Sequence, residues 1–145
     1  MPWHATPERP LALLYDGTCR FCTAGQARLM RFARPGLITP VNSKDPAELA
    51  RFPQVTAAAA NRALQLVSHD GDLAQGAEAI ARALNTRPAW KLVTWIYWVP
   101  ILRQVFDGLY AVVARNRYRI AGRVSPCERG ACELPNHEHS PRSNA

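Results

Sequence analysis

Apolar residues run from Leu11 to Leu14 and stop at Tyr15-Asp16-Gly17-Thr18. A short apolar run bounded by turn residues predicts a buried strand over 11–15. A helix is predicted over 19–34, with Phe21, Ala24, Leu29 and Phe32 on its apolar side and Arg28 and Arg31 outward; Pro35-Gly36 stops it. Leu37 to Val41 reads as a second strand, weakened by Pro40. A short helix from Asp45 to Arg51 follows, capped by Ser43 or Asp45, and the Ala-rich stretch Ala57 to Arg62 reads as another. Ala63 to Ser68 alternates as a strand should. His69-Asp70-Gly71-Asp72 signals a hairpin turn, and Leu73 to Gln75 is its return strand. Gly76 to Leu84 closes the series as a helix. The order is β-α-β-α-β-β-α, in which β-α-β units imply parallel pairing and the late hairpin adds an antiparallel edge.

The pattern changes after residue 85. Trp90, Trp95, Ile96, Trp98, Val99, Ile101 and Leu102 form a dense apolar block divided by Pro100, and a second helix is expected from Ile101 to about Arg115. Lys91, Pro100, Arg103 and Asp107 interrupt the block well before the ~20 apolar residues a membrane span needs. Helices packed on the sheet are the expected use. An interfacial helix with its tryptophans at the headgroup level is the alternative, and keeps peripheral membrane contact open. The chain therefore divides into a disordered lead-in (1–10), a core (11–85), a helical extension packed on it (86–122) and an irregular tail (123–145).

Composition narrows the class. A chain of 145 residues with 48% apolar and 20% charged residues suits one globular domain with a real core. Four cysteines are too few for a disulfide scaffold of the small secreted kind. The first ten residues hold no basic stretch followed by an apolar one, so a cytoplasmic setting is the default expectation. The net charge of +7 is concentrated near Arg115, Arg117, Arg119 and Arg123. This patch is short and has little aromatic interleaving beyond Tyr118, so nucleic acid is not the expected partner. A solvated helix end, with arginines complementing the dipole, is the expected role.

The chemistry lies where the first strand meets the first helix. Cys19 and Cys22 are three residues apart, share one helix face and sit at its N-terminus, where the dipole favours thiolate over thiol. A thiolate attacks disulfides, so Cys19 is expected to be the exposed nucleophile and Cys22 the resolving thiol tucked beneath the first turn. Arg20 adds a favourable charge between them. Asp16 is read as a proton acceptor or as a helix cap. A second pair, Cys127 and Cys132, lies in the tail with His137 and His139. Its plain reading is a pair of ordinary tail thiols, and the sharper alternative is an auxiliary dithiol exchanging with the first. The four cysteines together are also a candidate zinc set, although the two pairs lie much farther apart than the roughly 15–20 residues of a zinc ribbon.

Tyr15-Asp16-Gly17-Thr18-Cys19-Arg20-Phe21-Cys22 resembles the signature of the DCC family of predicted thiol-disulfide oxidoreductases. Tyr110, the run Ala114-Arg115-Asn116-Arg117-Tyr118-Arg119 and Gly122 resemble that family's C-terminal block, which leads to a single cysteine before Leu-Pro, here Cys132-Glu133-Leu134-Pro135. Cys127 sits in what reads as an insertion. The resemblance spans roughly 11–135 and implies a thioredoxin-like core with added C-terminal helices, in which Asp16, Cys19 and Cys22 are the motif residues. It departs from classical thioredoxins, which place a cis-proline before the strand facing the dithiol: no proline nearer than Pro53 precedes Ala63. The expected activity is thiol-disulfide exchange without a cofactor, with a disulfide-bearing protein or a small thiol such as glutathione as partner. The alternatives are a non-enzymatic zinc- or partner-binding module and a redox sensor.

Overall fold

The computed structural model describes residues 3–124. Four strands, β1 (Leu11–Tyr15), β2 (Ile38–Asn42), β3 (Gln65–Val67) and β4 (Leu73–Gln75), form one sheet in the order β2-β1-β3-β4. β1 and β2 run parallel, with Leu13 opposite Pro40. Pro40 is tolerated because β2 is an edge strand. β3 is antiparallel to both β1 and β4. The helices are α1 (Arg20–Phe32), α2 (Pro46–Ala50), α3 (Ala57–Arg62), α4 (Ala77–Leu84), α5 (Lys91–Thr94) and α6 (Pro100–Ala121), with 3-10 turns over Pro88–Trp90 and Trp95–Trp98.

The period of two along β1 builds a three-layer packing. Leu11 and Leu13 point to one side, where they pack with Leu29 and Ala33 of α1 and its C-cap, Leu66, and Ala79 and Ala83 of α4. Leu14 points to the other, against Val41, Val55, Ala60 of α3 and Val67. The parallel β1-α1-β2 unit and the antiparallel β3-β4 hairpin give a mixed α/β architecture consistent with a thioredoxin-like fold.

The structure revises several expectations. α1 begins one residue later, because Cys19 is the N-cap. Asp45 caps α2 through the Ala47 N–H, and Ser43 instead donates to the Tyr15 carbonyl. Residues 3–10 are not a disordered lead-in: Thr6 and Arg9 form a bridged turn, and Trp3 packs against the core with the Arg82 guanidinium 4.4 Å from its ring centre. Pro100 divides the apolar block as expected and is itself the first residue of α6, where a proline removes an N–H that has no partner. α6 also runs on to Ala121, which brings Arg115, Arg117 and Arg119 inside the helix. It packs on α1 and α4.

Candidate functional site

The site forms where β1 ends and α1 begins. Asp16 and Gly17 turn the chain, and Cys19 carries extended backbone angles (φ −99°, ψ 118°) while its Sγ accepts the Cys22 N–H at 3.3 Å. The sulfur thus fills the place a serine or aspartate oxygen usually takes at a helix start. Gly17 sits at a close approach to the Asn42 side chain. Its N–H donates to Asn42 Oδ1 at 3.1 Å, and a Cβ there would stand 2.5 Å from the Asn42 amide.

The exposures of the two thiols reverse the expected arrangement. Cys19 is fully buried, whereas Cys22 is only partly buried; both are free thiols. What covers Cys19 is the backbone leaving α6. The Arg20 N–H donates to the Gly122 carbonyl at 3.3 Å and the Val124 N–H to the Thr18 carbonyl at 2.9 Å, so Cys19 and Arg123 pair as an isolated antiparallel bridge. Arg20 Nε adds a bond to the Arg123 carbonyl at 3.2 Å. Burial pushes the Cys22 thiol up to about 12, helped by its hydrogen bond with Cys19 and the charge on that neighbour. The nearby Arg117 charge opposes this without reversing it. Cys22 is a thiol at neutral pH.

Asp16 does not cap α1, and its link to Cys19 runs through the backbone, where the Cys19 N–H donates to the Asp16 carbonyl at 3.2 Å. Its Oδ1 accepts the Thr18 N–H at 2.9 Å and the Thr18 hydroxyl at 2.6 Å. Its Oδ2 accepts from the Tyr118 hydroxyl, lies 3.3 Å from Arg117 Nη2 and is 3.8 Å from Lys44 Nζ. Burial pushes this carboxyl up, but the Thr18 and Tyr118 hydrogen bonds and the Lys44 charge outweigh it and hold Asp16 below the ordinary carboxylate range. It is an anion clamped by α6.

Arg117 makes the other half of that clamp. Expected on a solvated helix end, it is instead 6% exposed, donates to the Asn61 carbonyl and to Asp16, and reaches Cys22 Sγ at 3.6 Å. Burial works against its charge, but Cys22, Tyr118, Asp16 and Cys19 favour it more strongly and raise the guanidinium further. Arg117 and Arg123 lie 5.0 and 4.9 Å from the Tyr118 ring centre. About two turns earlier on α6, the Tyr110 hydroxyl accepts the Leu64 N–H at 2.9 Å, next to β3. Arg117 and Tyr110 therefore occupy backbone groups of the segment that precedes β3, where the resemblance already lacked the thioredoxin proline.

Cys22 faces two apolar cavities of about 450 and 300 Å³. They share Phe21, Cys22, Ile80, Leu84, Tyr110 and Arg117. The larger is lined also by Val93, Ile96, Phe106 and Leu109. Among the described residues no cluster of three or more His, Cys, Asp or Glu is placed to hold a metal. Cys127 and Cys132, the candidate auxiliary dithiol and second half of the zinc set, lie outside the described residues, as do His137 and His139. Among the described residues no helix is long and apolar enough to cross a membrane.

A two-cysteine helix start on a thioredoxin-like sheet, with one sulfur capping the helix and the other held as a thiol, defines the class of dithiol redox proteins. The profile of the DCC1-like thiol-disulfide oxidoreductases matches residues 13–123, and the chain belongs to that family. Searches of curated proteins and of solved structures each return no match.

Proposed function

We propose that the chain catalyses thiol-disulfide exchange, with Cys19 as the attacking sulfur and Cys22 as the resolving one. The observation that carries this reading is the asymmetry of the pair: Cys19 Sγ receives the Cys22 N–H at the helix start, while burial holds Cys22 protonated. An N–H directed at sulfur stabilises the anion. In the reaction, the Cys19 thiolate attacks one sulfur of a substrate disulfide, and the other substrate sulfur leaves and takes up a proton. Cys22 then loses its proton and attacks Cys19, releasing the second substrate thiol. The substrate gains two electrons and the protein ends with a Cys19–Cys22 disulfide. The reverse direction uses the same steps.

Asp16 serves in this reading as a positioning residue, since its oxygens are engaged by Thr18, Tyr118 and Arg117. The substrate is a disulfide-bearing protein or a small disulfide such as oxidised glutathione, and the tail pair Cys127 and Cys132 is a candidate exchange partner. No step calls for a cofactor. The test is trapping. A Cys22→Ser variant mixed with a labelled disulfide should accumulate a mixed disulfide on Cys19, and Cys19→Ser should accumulate none. Label retained on Cys22 of Cys19→Ser would reverse the two roles, and equal turnover by wild type and both variants would end the enzymatic reading.

One observation favours a redox sensor as the second reading. Residues 122–124, which lead into the tail, pair directly with the backbone around Cys19. Oxidation that displaces this pairing without catalytic turnover would distinguish the sensor from the enzyme.

A further inference from the structure

We propose that α5, the turn after it and α6 form a face that docks on an anionic lipid bilayer. The face is built from side chains that the fold leaves without cover. Leu92 is 81% exposed, Ile101 76%, Trp95 65% and Leu109 59%, and Val93, Val105, Phe106 and Val112 are exposed beside them. On α6 the steps of three and four place Ile101, Val105, Gly108, Val112, Arg115 and Arg119 along one stripe, and every one of them is exposed. The first three turns of that stripe are apolar and the last two are basic. Asp107, the acid within α6, projects to another side, where it binds the Tyr97 hydroxyl and Arg103.

A second copy of the chain would cover the apolar turns, but the stripe holds no acid to receive Arg115 and Arg119 from a two-fold mate. A bilayer meets both halves at once, with acyl chains for Ile101 and Val105 and phosphates for the two arginines. Exposed tryptophan suits the same place, the membrane–water boundary. Val93 and Leu109 of this face also line the larger cavity beside Cys22.

The experiment is co-sedimentation of the full chain with phosphatidylcholine vesicles, with and without phosphatidylglycerol. Wild type should partition onto the anionic vesicles with a blue shift of tryptophan emission. Partition should fall more than tenfold in Ile101→Asp/Val105→Asp, and about tenfold or more in Arg115→Gln/Arg119→Gln. Both variants alter exposed positions and should keep the wild-type melting temperature. Cys22→Ser should bind as wild type does, so a failure of the redox reading would leave this surface standing. The proposal is overturned if wild type stays off the anionic vesicles at low salt, or if the apolar variant binds as well as wild type. A dimer that Val105→Asp dissociates, with no vesicle binding, overturns it in favour of self-association.

Discussion

Arg117 and Asp16 are 101 residues apart in the chain, yet the guanidinium Nη2 stands 3.3 Å from Asp16 Oδ2 in a site almost closed to water. This pair ties the end of α6 to the turn that carries the dithiol. It also places a fixed positive charge 3.6 Å from Cys22 Sγ. The long helix is thereby part of the site as well as a cover for the sheet.

The two partners of this pair should be energetically coupled, so that removing both costs less than the two single losses added together. Arg117→Met leaves the Asp16 carboxylate with Lys44 as its cation and with the Thr18 and Tyr118 hydrogen bonds, so the loss should fall below the ~3–5 kcal/mol of a buried charge left wholly unpaired. Asp16→Asn leaves Arg117 with the Asn61 carbonyl and should cost less. The double variant should be more stable than the sum of the single losses, by about 1 kcal/mol or more. Urea midpoints of the four proteins give the coupling; additive losses would mean that the contact carries no energy of its own.

The sequence told much about the sheet and little about this clamp. The apolar run Leu11 to Leu14 and the turn at His69–Asp72 are local signals, and the strands they predict are present. The pairing of Arg117 with Asp16 depends on where a separate helix ends up, which no local period encodes. Its trace in the sequence was the Arg-Asn-Arg-Tyr-Arg run, which looks like a solvated helix end until α6 is known to continue to Ala121. Exposure of the thiols was misread for a related reason: Cys19 is hidden by Gly122–Val124, a cover formed by tertiary contact.

Acid should weaken the fold through Asp16. Its carboxyl titrates below the ordinary value of 3.8 in the folded chain, so the unfolded chain binds the proton more readily. The stabilisation is whole above 3.8 and is lost as pH falls through the lower folded value. The stability gap between wild type and Asp16→Asn should therefore be constant near neutrality and shrink below about pH 4. Denaturant titrations at a series of acidic pH values measure it, and a gap that widens in acid would contradict the assignment.

Cys19 has a structural duty besides its chemical one, and the two separate by substitution. Cys19→Ser keeps an acceptor for the Cys22 N–H and should leave stability within about 0.5 kcal/mol, whereas Cys19→Ala removes the cap at a cost of about 1 kcal/mol. Both should lose disulfide reductase turnover. Thermal melts beside an insulin-reduction assay test the pair together. Equal melting temperatures would show that the sulfur does not cap α1, and turnover retained in either variant would remove Cys19 from the reaction.

Access to Cys19 should be limited by the backbone bridge that covers it. The Val124 N–H to Thr18 carbonyl bond is one of the few contacts fixing that cover, and Val124→Pro deletes the donor. A backbone hydrogen bond contributes about 1 kcal/mol net, so the open form should become about fivefold more populated. Iodoacetamide should then label Cys19 about fivefold faster in Val124→Pro than in wild type, while labelling of Cys22, which already borders the two cavities, changes little. Site-resolved mass spectrometry over a time course reads both rates. If Cys19 reacts as fast in wild type as in the variant, the bridge does not gate the sulfur, and reagents reach it by another path.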